Sequence, residues 1–333
     1  MLASPNIASK IWVYGQYDHE VGIRTVIKPG YDASVLRLDN GKFLSIKIDG
    51  NPKQCYINPR EGAIGCFEEA CRNVVCTGAK PIGMLDHLQF GNPKDPEIFW
   101  TFLESLKGLT DFAKNFEIPC IGGKVSLYNE TPKGSIKPTP VIGVIGLIDK
   151  KPLRIQKINS GDCLIMIGNT KDELGGSEYS EYIHKFIGGK CPTVDFSESK
   201  KNMNAVLELI ETELIKSAHD CSKGGLAVAV SELCMTNLIG CNVPLDDIPG
   251  DKLDTDKILF SESHSRYLVT FEKKNLQNLE KLLKKHNVSF KTIGEFGGES
   301  IQFTIDSKSI IDLSVDKAQK IWLNSLKEIV MHA

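Results

Sequence analysis

The clearest alternation of apolar and polar positions runs through SVLRL and KFLSIKI, which flank Asn40-Gly41. A period of two on either side of Asn-Gly predicts a β-hairpin with one buried face. The period then changes. Over residues 61–78, Ile64, Phe67, Cys71 and Val74 recur at helical spacing, which leaves Glu69 and Asn73 together on the other side. A second amphipathic helix is expected over 102–116, and PTPVIGVIGL at 138–147 reads as a buried strand. The pattern restarts near 149–161. Beyond it come a strand at 163–167, helices near 198–215 and 225–236, a strand at 266–271, a helix at 274–286 and a mixed tail. Helices interspersed with strands predict an α/β (α+β) fold. The expected divisions are a connecting segment at 1–30, an N-terminal αβ domain at 31–150 and a C-terminal α/β domain at 151–333.

Composition narrows this picture. A length of 333 residues suits two domains, and 41% apolar with 25% charged residues is ordinary for a globular chain. The net charge of −2 favours neither nucleic acid nor an anionic membrane as main partner. Neither a signal peptide nor an apolar run of bilayer length is visible, so a cytoplasmic location is expected. The ten cysteines include no C-x-x-C pair, and Cys66, Cys71 and Cys76 scatter around a helix. They read as reduced, mostly buried small hydrophobes.

Candidate chemistry gathers in a few segments. In Ile121–Glu130, IGGKVSLYNE, the paired glycines with Lys124 and Ser126 read as a backbone turn that approaches an anion closely. A second segment of the same style is His219-Asp220-Cys221-Ser222-Lys223-Gly224-Gly225. There Asp220 and Ser222 could bind metal and phosphate, or Ser222 could simply cap the following helix. Glu69 and Asn73, four residues apart, suit a hard cation such as Mg2+, or merely form a solvated helix face. Asp86 ends an apolar segment before Gly91-Asn92-Pro93, a strand end where open α/β sheets place ligands or where an aspartate steadies a turn. His87 and His264 have no nucleophile–base pattern around them and read as structural. With no nucleophile elbow or acid–base pair, the collective signal is phosphate-plus-metal chemistry driven by positioning and charge neutralisation.

Several segments taken together resemble the second half of phosphoribosylformylglycinamidine synthase. They are Ser4-Pro-Asn-Ile-Ala-Ser, Tyr17-Asp18-His19, Ala70-Cys-Arg-Asn-Val-Val-Cys, Phe90-Gly-Asn-Pro, Gly123-Lys-Val-Ser-Leu-Tyr-Asn-Glu and His219-Asp-Cys-Ser-Lys-Gly-Gly. The likeness keeps motif order over essentially the whole chain. It extends to the superfamily of aminoimidazole ribonucleotide synthetase, which also holds selenophosphate synthetase, thiamine-monophosphate kinase and a hydrogenase maturation factor. The resemblance implies an N-terminal sheet domain that pairs with another copy into a barrel-like dimer, with a C-terminal α/β domain beside it.

It also implies a reaction in purine biosynthesis. ATP would activate an amide oxygen of formylglycinamide ribonucleotide, and ammonia from a glutaminase subunit would displace phosphate to give the amidine. By motif, Asp86 and Gly123 would contact ATP, and Ser126 the substrate. Lys124 stands where the common pattern has a metal-binding asparagine, and would meet phosphate as a point charge. Glu69, Asn73, Asp220 and Ser222, with Asp49 as a weaker candidate, match an auxiliary nucleotide–Mg2+ site. Lys223 replaces an acidic residue of that pattern.

The full synthetase is about twice this length, and its catalytic residues are expected in the other half. The chain is therefore expected to be incomplete alone. Its expected partners are the N-terminal half, a glutaminase subunit and a small bridging subunit, and in isolation a second copy forming a homodimer. The alternatives are a stand-alone superfamily kinase acting as a homodimer and a non-catalytic nucleotide-binding assembly module.

Overall fold

In the computed structural model, which describes residues 1–153 and 156–332, the expected hairpin belongs to a six-stranded sheet. Its strands are β1 (Thr25–Ile27), β2 (Ser34–Arg37), β3 (Phe43–Asp49), β4 (Lys80–Gln89) and β5 (Cys120–Ser126). After a small ribbon of β6 (Glu130–Thr131) and β7 (Gly134–Ser135) comes the sixth, β8 (Thr139–Ile148). The spatial order is β1-β2-β3-β8-β4-β5, so β5 is an edge strand. Strands β3 and β4 both pair antiparallel with β8, and β5 runs parallel to β4. The carboxyl ends of β3, β4 and β5 therefore lie at one end of the sheet.

The helices of this part of the chain are α1 (Ile11–Tyr14), α2 (Pro52–Ile57), α3 (Pro59–Val75) and α4 (Pro96–Phe116). Asn58 starts α3 by accepting from the Glu61 amide, with Pro59 in the first turn. Asp95 caps α4 in the same way, several residues before the amphipathic pattern becomes legible. From Gly62 onward helix α3 has no solvated side. Glu68, Glu69, Arg72 and Asn73 are as buried as Phe67 and Val74, because the sheet, α4 and the C-terminal half enclose the helix.

The second sheet contains β9 (Asp162–Ile167), β10 (Ser217–Asp220), β11 (Cys241–Pro244), β12 (Tyr267–Glu272), β13 (Phe290–Phe296), β14 (Ser300–Ile305) and β15 (Lys308–Ser314). Their order is β10-β12-β9-β13-β11-β14-β15. Helices α5 (Phe196–Glu211), α6 (Gly225–Asn237), α7 (Thr255–Phe260), α8 (Leu276–His286) and α9 (Val315–Met331) complete this half. All six residues of β9 are buried, as expected of a strand covered on both faces. Cys163, Ile165 and Ile167 join a core shared with the first sheet, α3, α5 and α8, while Leu164 and Met166 join another beneath α6 and α9.

The first residues are not a simple connecting segment. The Trp322 indole donates to the Ile7 carbonyl, the Ser9 amide donates to the Trp322 carbonyl, and Asn6 binds Glu178 at 2.7 Å. Further along, Thr25–Ile27 adds the outermost strand to the first sheet. All ten cysteines are free, with Cys120 alone exposed. No helix among the described residues is long and apolar enough to cross a membrane.

Candidate nucleotide and substrate site

IGGKVS forms strand β5 instead of a turn, and neither Gly122 nor Gly123 has a positive φ. The need for glycine at 123 is steric: Asp86 pairs with it across the β4–β5 ladder, and a Cβ there would lie 2.4 Å from Asp86 Oδ1. Alternation along the strands then divides the expected ligand set. Asp86 shares the helix-covered side of β4 with buried Met84 and Leu88. Lys124 and Ser126 pair with His87 and Gln89, and so stand on the opposite face. The structure thus brings Asp86 and Gly123 together, and separately Lys124 and Ser126, across one sheet edge. Asn129 steadies the end of β5 by donating to the carbonyls of Ser126 and Phe90 at 2.9 and 3.0 Å.

The uncovered face is apolar. The register puts Leu36, Leu44, Ile46, Ile48, Leu85 and Ile145 on this side, where Ile48 is 67% exposed. Val35, Ile142 and Val144 fill the other face beneath α3. Hydrophobic-in, polar-out alternation is therefore missing from these strands.

On the helix side, Ile142 pairs with both Asp49 and Asp86, so the two carboxylates flank it about 10 Å apart, two strand spacings. Asp49 faces α3, and there the auxiliary residues do assemble. Lys223 Nζ lies 3.1 Å from Asp49 Oδ1 and 3.2 Å from Glu69 Oε1. Asn73 accepts from Lys47 at 3.0 Å and donates to Asp220 at 3.1 Å. Arg72 reaches Asp220 at 3.1 Å and also pairs with Glu68. Burial pushes the Asp220 carboxyl upward against the pull of Arg72. Burial also raises Asp49, helped by the neighbouring Glu69 charge, while Lys223 opposes it. Three fixed cations already serve these oxygens, so the residues expected to hold Mg2+ do not fit a divalent ion as they stand.

Ser222 does not cap α6. Gly224, at φ +80°, is the cap residue, and its amide donates to buried Glu262, which also takes the Glu178 amide. The positive end of that helix is thus satisfied by an internal carboxylate. Ser222 instead lines a cavity of about 380 Å3 with Lys47, Asn73, His219, Asp220 and Trp322.

Sequence reasoning missed the partners of His219. Its two ring nitrogens lie 2.9 Å from Asp32 and 3.1 Å from Glu232, and Asp32 also accepts the Asp220 amide. Burial alone would lower the His219 pKa, but the two carboxylates, Asp32 foremost, raise it well above its ordinary value. Among the described residues, Asp32, His219 and Asp220 form one group whose possible ligand atoms lie within 4.8 Å of one another. The signal for His219 was its place beside Asp220; Asp32 offered none. His264, read as structural, packs against Gly65 with Nδ1 3.6 Å from Glu68.

Comparison with known proteins follows the two sheets. Residues 30–148 match the family model described as AIR synthase related protein, N-terminal domain, and residues 159–306 match that of the C-terminal domain. The phosphoribosylformylglycinamidine synthase subunit PurL of Alkaliphilus metalliredigens is 42% identical over 330 residues, 98% of this chain and 44% of that protein. The subunit of the same name from Methanocaldococcus jannaschii is 42% identical over 340 residues, 99% of this chain and 46% of that protein. The chain spans about half the length of the curated relatives it matches. Among solved structures, T. maritima PurL complexed with FGAR matches with TM-score 0.78 at 20% identity, over 96% of this chain and 52% of that one. A chain of the HypE-HypF complex matches with TM-score 0.63 at 15% identity, over 84% of this chain and 92% of that one.

Proposed function

The chain belongs to the AIR synthase related family, and from that premise we propose that it is one half of an ATP-dependent phosphoribosylformylglycinamidine synthase of purine biosynthesis, working in the cytoplasm. ATP transfers its γ-phosphoryl group to an amide oxygen of formylglycinamide ribonucleotide; ammonia then attacks that carbon and phosphate leaves, giving the amidine. On this chain Asp86 and Gly123 border ATP, Lys124 supplies a point charge to phosphate and Ser126 a hydroxyl to the substrate. Mg2+ arrives with ATP. The catalytic acid–base groups come from the other half, and a glutaminase subunit with a small bridging subunit delivers ammonia.

One observation carries the reading: Lys124 and Ser126 stand on the uncovered apolar face of the first sheet. A site on that face is completed only by whatever covers the sheet. An exposed apolar face this wide calls for a partner surface, and the matching half supplies one. The test is to mix the chain with a separately produced other half and supply the ribonucleotide, MgATP and ammonium. ATP-dependent amidine formation is expected from the mixture and from neither component. A folded, associated pair that makes none would overturn the proposal.

Without the other half, a second copy covers the face as a C2 homodimer closing the two sheets into a barrel. Light scattering at micromolar concentration is expected to give a dimer, and Ile48→Lys a monomer. A monodisperse monomer of the unaltered chain would refute this arrangement.

The HypE-HypF match supports a second reading, because one copy of this fold there fills 92% of a chain. A stand-alone homodimeric kinase would turn over ATP without the other half, whereas a non-catalytic module would retain nucleotide without turnover.

A further inference from the structure

The cluster beneath α3 is built around a lysine, at the place where the family likeness leads one to expect a divalent cation. Asp49 comes from the end of β3, Glu69 from the middle of α3, and Lys223 from the loop between β10 and α6. Both carboxylates are buried, while the lysine side chain remains 27% exposed. Its ammonium makes close contacts with both, at 3.1 and 3.2 Å. A compact ammonium on a flexible stem satisfies two carboxylate oxygens much as a small metal ion does, without any ligand from outside.

We propose that Lys223 is the permanent resident cation of this cluster, taking the place of a divalent metal and holding the two halves of the chain together without one. The backbone keeps the lysine there. Gly224 and Gly225 follow it with φ of +80° and +66°, and a Cβ on Gly225 would lie 2.6 Å from the Ser261 carbonyl oxygen. The Gly224 amide is tied to Glu262. The loop is therefore fixed immediately behind the lysine.

The surrounding charges leave no room for a second cation. Arg72 lies 4.0 Å from Glu69 and 3.1 Å from Asp220, and Lys47 binds Asn73. A dipositive ion between Asp49 and Glu69 would sit at contact distance from the ammonium, in surroundings where like charges repel strongly. Metal entry requires that Lys223 leave. Of the remaining neighbours, Asn73 Oδ1 already accepts from Lys47, and Asp220 Oδ2 from Arg72 and Asn73.

The test reads metal binding directly, without turnover. The whole chain, free of nucleotide, is titrated with Mn2+ and followed by electron paramagnetic resonance. The unaltered protein is expected to show no millimolar binding that Asp49→Asn removes. Lys223→Ala vacates the position and is expected to bind Mn2+ at least about tenfold more tightly than the parent, with the gain lost in the Lys223→Ala, Asp49→Asn double variant. A folded Lys223→Ala protein that gains no binding overturns the proposal, as does parental binding abolished by Asp49→Asn. Thermal unfolding of the unaltered chain decides independently if the alanine variant fails to fold. Its midpoint is expected to be equal in EDTA and in millimolar Mg2+, whereas a rise with Mg2+ that Asp49→Asn cancels overturns the proposal.

Discussion

Asp86→Asn is expected to lower amidine synthesis by the reconstituted pair about 100-fold or more while leaving the melting temperature of the chain unchanged. Asp86 takes part in no ion pair among the described residues, and Cys120 Sγ, at 3.7 Å, is a weak neighbour. The change therefore removes a charge that the fold does not use. Gly123→Ala tests the same point from the other side of the ladder. Its new Cβ would come within 2.4 Å of Asp86 Oδ1, so the carboxylate must swing away while every polar group survives. A loss of similar size is expected, since misplacing a reacting group by about 1 Å can cost about 100-fold. Ser126→Ala should lower activity as well, with the fold intact. Full activity in both Asp86→Asn and Ser126→Ala would show that this sheet edge is not the nucleotide and substrate wall.

Arg72→Met is expected to destabilise the chain by about 3–5 kcal/mol, the cost typical of removing one partner from a buried ion pair. Glu68 is fully buried and Asp220 nearly so, and Arg72 serves both. Methionine fills much of the volume yet leaves two carboxylates uncompensated. With about 2–4 °C per kcal/mol for domains of this size, the melting temperature should fall by about 10 °C. The acid limb of stability gives a second readout. Burial by itself would raise the Glu68 pKa, but Arg72, aided by His264 and Ser199, holds it at about 2, well below the ordinary 4.5. A depressed folded pKa means stabilisation that is complete above the unfolded value and lost as pH falls from 4.5 towards 2. That shift is worth about 3 kcal/mol. Arg72→Met should flatten the limb, because Glu68 then has little reason to stay ionised. A drop under about 2 °C with an unchanged acid limb would show that the pair contributes nothing.

The parts of the fold legible in sequence were those whose period is set by a neighbour close in the chain. The Asn40-Gly41 hairpin, the strand at 138–147 and the helix beginning at Gly225 all follow from local alternation or from glycine placement. Local composition misled at β5, where Gly122-Gly123 suggested a turn. The glycine answers a side chain on the neighbouring strand, which composition does not encode. The polar positions of α3 misled similarly: Glu69 and Asn73 could pass for a solvated face until their partners, Lys223, Lys47 and Asp220, are brought from elsewhere in the chain. Lys223 stood out as a departure from pattern, yet its meaning required Asp49 and Glu69 on one side and Glu262 behind it. Asp32, 187 residues from His219, carried no local mark at all.

The bond between Trp322 and Ile7 sets a schedule for the newborn chain. Ile7 finds its donor, and Ser9 its acceptor, only when Trp322 of α9, 315 positions beyond Ile7, has been made. Until then Leu2 and Ile7 lack that cover, and the core beneath α6 stays open on the side where α9 will lie. The first sheet has every residue it needs some 170 positions earlier, by Ile148. Its apolar face is therefore formed while the second sheet is still being made, which makes early capture by a partner or a chaperone an advantage.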